Sequence, residues 1–309
     1  MKISFTVLPE DDNKEIRTIL SSRYMMSNIL IKKIKLYGTM EVNGVHRRVI
    51  DRVNAGDTIF AAYGQDSGKT KDNSGIKIYY EDEQIVVCEK PNNLVTHPTH
   101  NHLDDSLTSR LSDIPMHPVM RLDRETTGII CIAKNGYAHD LIQKKPMNKK
   151  YLAVVYGKYD NPCGTIDKPI KRRPNSVMIR DVAEDGHPSV THYRVKYTDE
   201  ERNISLVEFI LETGRCHQIR VHSTYMRHPL VGDGLYGPNS TDNPDNSFDN
   251  SVELDNLIGR QALHAYYLDF VHPESQETLQ FRSPLPEDMM NLFSVKSQKM
   301  INEILGETN

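Results

Sequence analysis

The densest group of reactive side chains lies in HPVMRLDRETTGIICIAKN, residues 117–135. There Asp123 stands between Arg121 and Arg124 at the end of one apolar run, and Gly128 opens the next. A carboxylate flanked by cations is favoured in its anionic form. At a strand end such a group serves as nucleophile, base or metal ligand. A structural ion pair at a turn is the plainer reading, and the local sequence leaves the choice open. A second group, LETGRCHQIRVHSTYMRHPLVGDGLYG (211–237), sets Arg215, His217, Arg220, His222 and Arg227 around the start of a predicted helix. Cationic and switchable donors so placed suit a phosphate or a paired carboxylate. A third, HPTHNH, carries His97, His100 and His102, with Asp104 and Asp105 following. Pro98 and the lack of an i, i+4 register preorganise no metal geometry, so an ordered polar loop is expected there and no metal site.

These residues need a scaffold. IKIYYEDEQIVVCEKP reads as two strands around an acidic turn. Strand-like runs follow at 128–133, 150–156, 190–197, 203–212 and 262–270, and helical segments at 135–145, 215–226 and 286–303. Strands dominate and helices interrupt them irregularly. This predicts the α+β class, with a mixed, mostly antiparallel sheet and flanking helices. Residues 237–251 read as a polar surface loop.

The N-terminal stretch has a different character. Residues 16–36 read as helical, with Leu30, Ile31 and Ile34 on one face of a second helix and Lys32, Lys33 and Lys35 turned away. Ser27 is its predicted N-cap and Gly38 its end. Asn43-Gly44 is a two-residue hairpin signal, and a turn at Ala55-Gly56-Asp57 precedes the apolar TIFAA. A small α/β unit is expected over 1–63, a Gly-rich polar linker over 64–75 and the main domain over 76–309.

The length of 309 residues accommodates two domains, and 26% charged against 38% hydrophobic residues is ordinary for a folded, water-soluble chain. No apolar run is long enough to span a bilayer, and the N-terminus lacks a signal-peptide core. A cytoplasmic protein without a membrane partner is expected. Cys88, Cys131, Cys163 and Cys216 are scattered, as reduced thiols would be. The net charge of −4 hides a polarity. Eight basic residues face two acids between Ile16 and Gly56, while from Ser240 onward four face twelve. A basic block binds phosphate locally even on an acidic protein.

The order LIKKIKLYGTMEVNG, then VNAGDTI, resembles the small alpha-L RNA-binding domain, over residues 14–62. Met26-Ser27-Asn28 stands where that domain usually has Ser-Arg. The resemblance implies RNA contacts through Lys32, Lys33, Lys35, Arg47 and Arg48. The later segments resemble RluA-type pseudouridine synthases from residue 76 to 290. These are IYYEDEQIVVCEKPNNLVTHP, RLDRETTG, KKYLAVVYG, TGRCHQIRVH, HPLVGDGLYG and LHAYYLDFVHP with FRSPLPED, in that order.

That family detaches uracil from a uridine within RNA, turns it, and rejoins it through carbon 5. The resemblance implies an enzyme acting on structured RNA, large-subunit ribosomal RNA first and transfer RNA second, and a monomer is expected. The reaction is redox-neutral, so no cofactor, no Rossmann fingerprint and no P-loop is expected. Asp123 matches the catalytic aspartate, acting on the ribose or on uracil carbon 6. Arg220 matches its basic partner, Tyr151 the tyrosine that stacks on the target base, and Arg121 the arginine that holds RNA around a flipped nucleotide. Met120 replaces the histidine usual before Arg-Leu-Asp. Two other classes compete: a non-catalytic RNA-binding factor, and a metal-dependent hydrolase using the histidine loop.

Overall fold

The computed structural model describes residues 2–24, 26–62, 75–98, 105–112, 116–240 and 248–306. The chain divides into two compact units, Met1–Asn73 with Thr108–Met116, and Ser74–Leu107 with His117–Asn309. The proposed linker falls almost wholly outside the described residues.

In the first unit, helices Ile16–Ser22 and Asn28–Tyr37 accompany a four-stranded antiparallel sheet. Its strands run in the order Lys2–Thr6, Thr58–Ala62, Thr39–Val42, Val45–His46. The apolar spacing explains the packing, since Ile16, Ile19, Leu20, Ile31 and Ile34 form one core with Met40, Ile59 and Ala61. The Ser27 side chain caps the second helix, accepting from the Leu30 amide at 3.2 Å. Asn43 and Gly44 both take positive φ, as a tight hairpin requires. Gly38 ends the helix for a reason other than left-handed backbone. Its φ is −115°, and a β-carbon there would lie 2.3 Å from the Ala62 carbonyl oxygen.

The second unit is built on a ten-stranded, mixed sheet. Its main path is Cys163–Asp167, Val190–Asp199, Ile204–Leu211, Met147–Tyr156, Leu263–Val271, Thr127–Ala133, Ile85–Lys90, Ile78–Glu81. Thr278–Arg282 and His117–Pro118 lie beside it. The central run YLAVVY is apolar at every position because both faces are covered. Leu152, Val154 and Tyr156 share a core with Met289, Leu292, Phe293 and Ile301 of the C-terminal segment. The helical stretch expected at 286–303 is two helices, Glu287–Met290 and Val295–Leu305. A helix at Ser251–Ile258 begins where the polar loop was expected to end, with Leu254 buried.

Among the described residues every pairing in this sheet is antiparallel except one. Thr127–Ala133 and Leu263–Val271 meet in parallel through only Thr127 with His264 and Gly128 with Ala265. Past that junction the strands take other neighbours, His117–Pro118 and Thr278–Arg282. Gly128 is demanded here twice over. Its φ is +116°, and a β-carbon would lie 2.3 Å from the Ala265 carbonyl oxygen.

His264 sits at the junction, fully buried between the Thr127 hydroxyl at 2.8 Å and the Ser283 hydroxyl at 3.1 Å. Burial, aided by Arg260, drives its pKa from 6.5 down to about 3. The folded state therefore refuses a proton that the unfolded state accepts, so this stability is complete above pH 6.5 and is lost as pH falls toward 3. From pH 7 to pH 5 we expect a loss of about 2 kcal/mol from this residue. Urea unfolding of wild type and His264→Gln at both values checks it. The wild-type drop should exceed the variant's, and equal drops would refute the assignment.

Candidate active site

A cavity of about 510 Å³ opens where the junction, the Asp123 turn and the helix Gln218–Tyr225 converge. Volume in this range suits a small ligand or a single nucleoside. Asp123, Arg121, Tyr151 and Arg220 all line it, as do Met120, His97 and His217.

The Asp123 turn is clamped from behind by residues 90–96. The buried Lys90 Nζ donates to the carbonyls of Pro91, Leu94 and Arg124 at 2.8, 2.7 and 2.9 Å. Desolvation pulls its pKa down to about 7 against the attraction of Asp123. Three carbonyl acceptors hold the ammonium form, because only that form has three N–H bonds to give. The Thr96 hydroxyl donates to the Leu122 carbonyl at 2.9 Å, and Gln261 donates to the Thr126 hydroxyl at 2.6 Å. Sequence reasoning passed over all three residues. No local pattern of reactive residue types marks them, since each reaches the Asp123 turn from far away in sequence: Lys90 from 34 residues, Thr96 from 26 and Gln261 from 135.

The flanking arginines do not pair with Asp123. Arg124 turns to Glu125 at 3.3 Å, and Arg121 is exposed at the cavity mouth. The partner is Arg220, whose Nη1 donates to Asp123 Oδ2 at 3.1 Å across 97 residues. Arg220 is itself held by Asp233. Its Nε and Nη2 donate to the two Asp233 oxygens at 2.7 Å each, and the amides of Leu235 and Tyr236 donate to Asp233 Oδ1 at 3.0 Å. Burial opposes the Arg220 charge, but the hydrogen bonds and field of Asp233, with Asp123 behind them, raise its pKa above the ordinary value. The Asp233 side chain is 0% exposed and that of Asp123 30%, so one carboxylate is scaffold and the other faces the cavity. Asp233 was missed because its partner lies thirteen residues upstream on a helix. The only local signal was an acid within an apolar, glycine-flanked turn.

That turn, GDGLYG at 232–237, does have G-x-G-x-x-G spacing. It forms consecutive turns, however, with no strand leading into a helix, so the dinucleotide fingerprint is not built.

Tyr151 is 6% exposed and sits at a bulge, where the register of Met147–Tyr156 against Leu263–Val271 shifts between Lys150 and Tyr151. Bulges re-aim side chains beside sites. Burial pushes its hydroxyl pKa up, and Asp123 adds to the effect. The remaining members of the second sequence cluster divide. His217 reaches the cavity, with Nε2 3.9 Å from Asp123 Oδ2. His222 is buried on the Thr191 hydroxyl and Lys168 carbonyl, Arg215 bonds the Pro188 carbonyl, and Arg227 follows the helix. His100 and His102 lie outside the described residues. Among the described residues no group of three or more His, Cys, Asp or Glu is placed to hold a metal ion.

The residues 84–225 match the family model for RNA pseudouridylate synthase. The chain is 34% identical to the RNA pseudouridine synthase YlyB of Bacillus subtilis (strain 168), over 94% of this chain and 97% of that one. It is 34% identical to ribosomal large subunit pseudouridine synthase D of Vibrio cholerae, over 85% of this chain and 84% of that one. The chain belongs to the RluA-type pseudouridine synthase family. Human RNA pseudouridylate synthase domain containing 1 shares the fold at a TM-score of 0.55 and 22% identity, over 77% of this chain and 97% of that one. As a pseudouridine synthase, the enzyme is an isomerase that converts uridine to pseudouridine in RNA. No helix among the described residues is long and apolar enough to cross a membrane.

Asp233 holds the Arg220 guanidinium from the side away from Asp123. Removing one partner of a buried, hydrogen-bonded ion pair costs about 3–5 kcal/mol. Asp233→Asn should lower the thermal midpoint and cut the saturated single-turnover rate at least tenfold, with RNA affinity within a few-fold. A rate within twofold of wild type would show that Arg220 orients itself.

Proposed function

We propose that this synthase isomerises specific uridines in structured RNA, large-subunit ribosomal RNA first, using Asp123 as its essential aspartate and a flipped-out target base. The observation that carries this is one carboxylate at a cavity wall, paired to a buried arginine, with an aromatic ring beside it. A duplex or a folded loop does not present a uridine to such a cavity, so the nucleotide must leave its stack, at a cost of a few kcal/mol. Tyr151 offers a face for the extruded uracil, and Arg121 at the mouth suits the flanking phosphates. Met120 is 9% exposed, so it fills volume where a histidine would donate. The naming of relatives as large-subunit enzymes supports the RNA class. The rearrangement is redox-neutral and hydrolyses nothing, so the proposal carries no cofactor and no metal. A cytoplasmic monomer completes the reading.

Asp123→Asn keeps the size of the side chain and removes its ionised oxygen. It should abolish release of tritium from [5-³H]uridine-labelled ribosomal RNA while leaving RNA affinity within a few-fold. Turnover at a tenth of the wild-type rate would refute the role. Mapping pseudouridines in total RNA of a strain lacking the gene names the site and would expose a transfer RNA target.

The first unit is proposed as an alpha-L type RNA-binding domain that supplies affinity. Several of its arginines are already engaged: Arg23 with Glu10 and Asp11, Arg17 with Glu15, Arg48 with Asp51. Lys32, Lys35 and Arg47 are exposed and have no ion pair among the described residues. Lys33 is half-buried. Phosphate contact therefore falls mainly to those three, with Lys33 and Arg48 at the margin. Replacing Lys32, Lys35 and Arg47 together by Ala should weaken RNA binding and reduce its log–log salt slope by about 2–3. The rate at saturating RNA should hold. A collapsed saturated rate with an unchanged slope would reverse this division of labour.

A further inference from the structure

His217 precedes the helix Gln218–Tyr225 in left-handed conformation, with φ 58° and ψ 21°, one of eight described non-glycine residues with positive φ. Non-glycine residues seldom hold that conformation unless their surroundings impose it, and such residues cluster at working sites. Its side chain caps no helix amide. Instead Nδ1 lies 2.9 Å from the Tyr236 hydroxyl, and Nε2 points to the cavity, 3.9 Å from Asp123 Oδ2. The Tyr236 hydroxyl also receives the Arg180 backbone amide at 2.9 Å. An amide N–H only donates, so the hydroxyl accepts there and can turn its own proton to Nδ1. An imidazole that accepts at Nδ1 carries its proton on Nε2.

We propose that His217 is a further catalytic residue: a neutral imidazole, fixed by Tyr236 as the Nε2–H form, that donates to a carbonyl oxygen of the uracil seated against Asp123. The inference rests on the uridine-isomerase reading of this cavity. Detaching uracil from its sugar leaves negative charge on the ring, spread onto its carbonyl oxygens. A donor aimed at that charge stabilises it as it develops. The donor works best when neutral, since an imidazolium beside Asp123 would pair with the carboxylate instead. Burial keeps the ring neutral. It is the largest influence and lowers the His217 pKa from 6.5 against the pull of Asp123 and Asp233, with Arg220 and Arg180 acting in the same direction as burial. Arg220 already gives three of its five N–H bonds to its two carboxylates. Tyr236 acts through His217 and is a positioning residue.

The test compares His217→Ala, His217→Gln and Tyr236→Phe in the full-length enzyme. Saturated single-turnover tritium release is read from [5-³H]uridine-labelled large-subunit ribosomal RNA transcript, and affinity is read separately by filter binding. His217→Ala should lose about 10²–10³-fold in saturated rate, the usual cost of one such donor, with affinity within about threefold. His217→Gln keeps an N–H donor and should recover at least tenfold of that loss. Tyr236→Phe should lower the rate by several-fold with affinity unchanged. Nitrogen-15 NMR of the histidine rings, without RNA, should show His217 protonated at Nε2 and bare at Nδ1, and a mixture of tautomers in Tyr236→Phe. The His217 signal is identified by its absence in His217→Gln. A His217→Ala rate within threefold of wild type, or a His217→Gln rate no better than His217→Ala, overturns the donor role. Protonation at Nδ1 overturns the tautomer lock, and this holds even if His217→Ala does not fold. Wild-type enzyme inert on both ribosomal and transfer RNA would instead defeat the target reading, while the ring tautomer still decides the lock.

Discussion

One guanidinium serves two carboxylates, and the site depends on how its five N–H bonds are shared. Asp233 takes the Nε and Nη2 edge, in the bidentate geometry that a planar fork allows and an ammonium does not. Only the Nη1 side remains for Asp123, and it meets a single oxygen. With Asp233 present, Oδ1 of Asp123 has no hydrogen bond among the described residues and stays open to the cavity. The buried pair is neutral as a unit, so it sits in the core without an uncompensated charge. Its cost in desolvation is met by the two backbone amides on Asp233 and by the Tyr236 ring, whose centroid lies 4.9 Å from the guanidinium carbon.

The other half of the arrangement is the junction between two parts of one sheet. Two residue pairs in parallel join them, and past that point the strands part toward different neighbours. A close-packed join of this kind leaves no room for a side chain at Gly128. The Asp123 turn enters the sheet at that position and is tied to the loop after Ile85–Lys90 by Lys90 and Thr96. A carboxylate meant to meet a reacting atom must be held to within a fraction of an ångström. Here the backbone carbonyls on either side of it are fixed by buried donors, and its side chain by Arg220.

The first unit obeys a simpler logic. Its helices bury isoleucines and leave lysines in water, and its acids neutralise those arginines that lie close to them. Counting charge over Ile16–Gly56 alone overstated its basic character, because Glu10, Asp11 and Glu15 precede that window and pair into it.

What the sequence determined by itself was local and periodic. Alternating and continuous apolar runs set the strands, Ser27 set a helix start, and Asn43-Gly44 set a hairpin, since each depends on neighbours a few residues away. The motif order was enough to place the chain in its family and to single out Asp123, Tyr151 and Arg220. Tertiary structure decided the rest. It gave Asp123 a partner 97 residues away rather than the arginines beside it. It made Asp233, Lys90 and Thr96 part of the site, and it separated His217 from His222 although both sit on one short segment. The physical reason is that hydrogen bonds and ion pairs act over about 3 Å in space and carry no mark in sequence distance. A pattern of residue types identifies which groups are able to react, and only packing determines which of them meet.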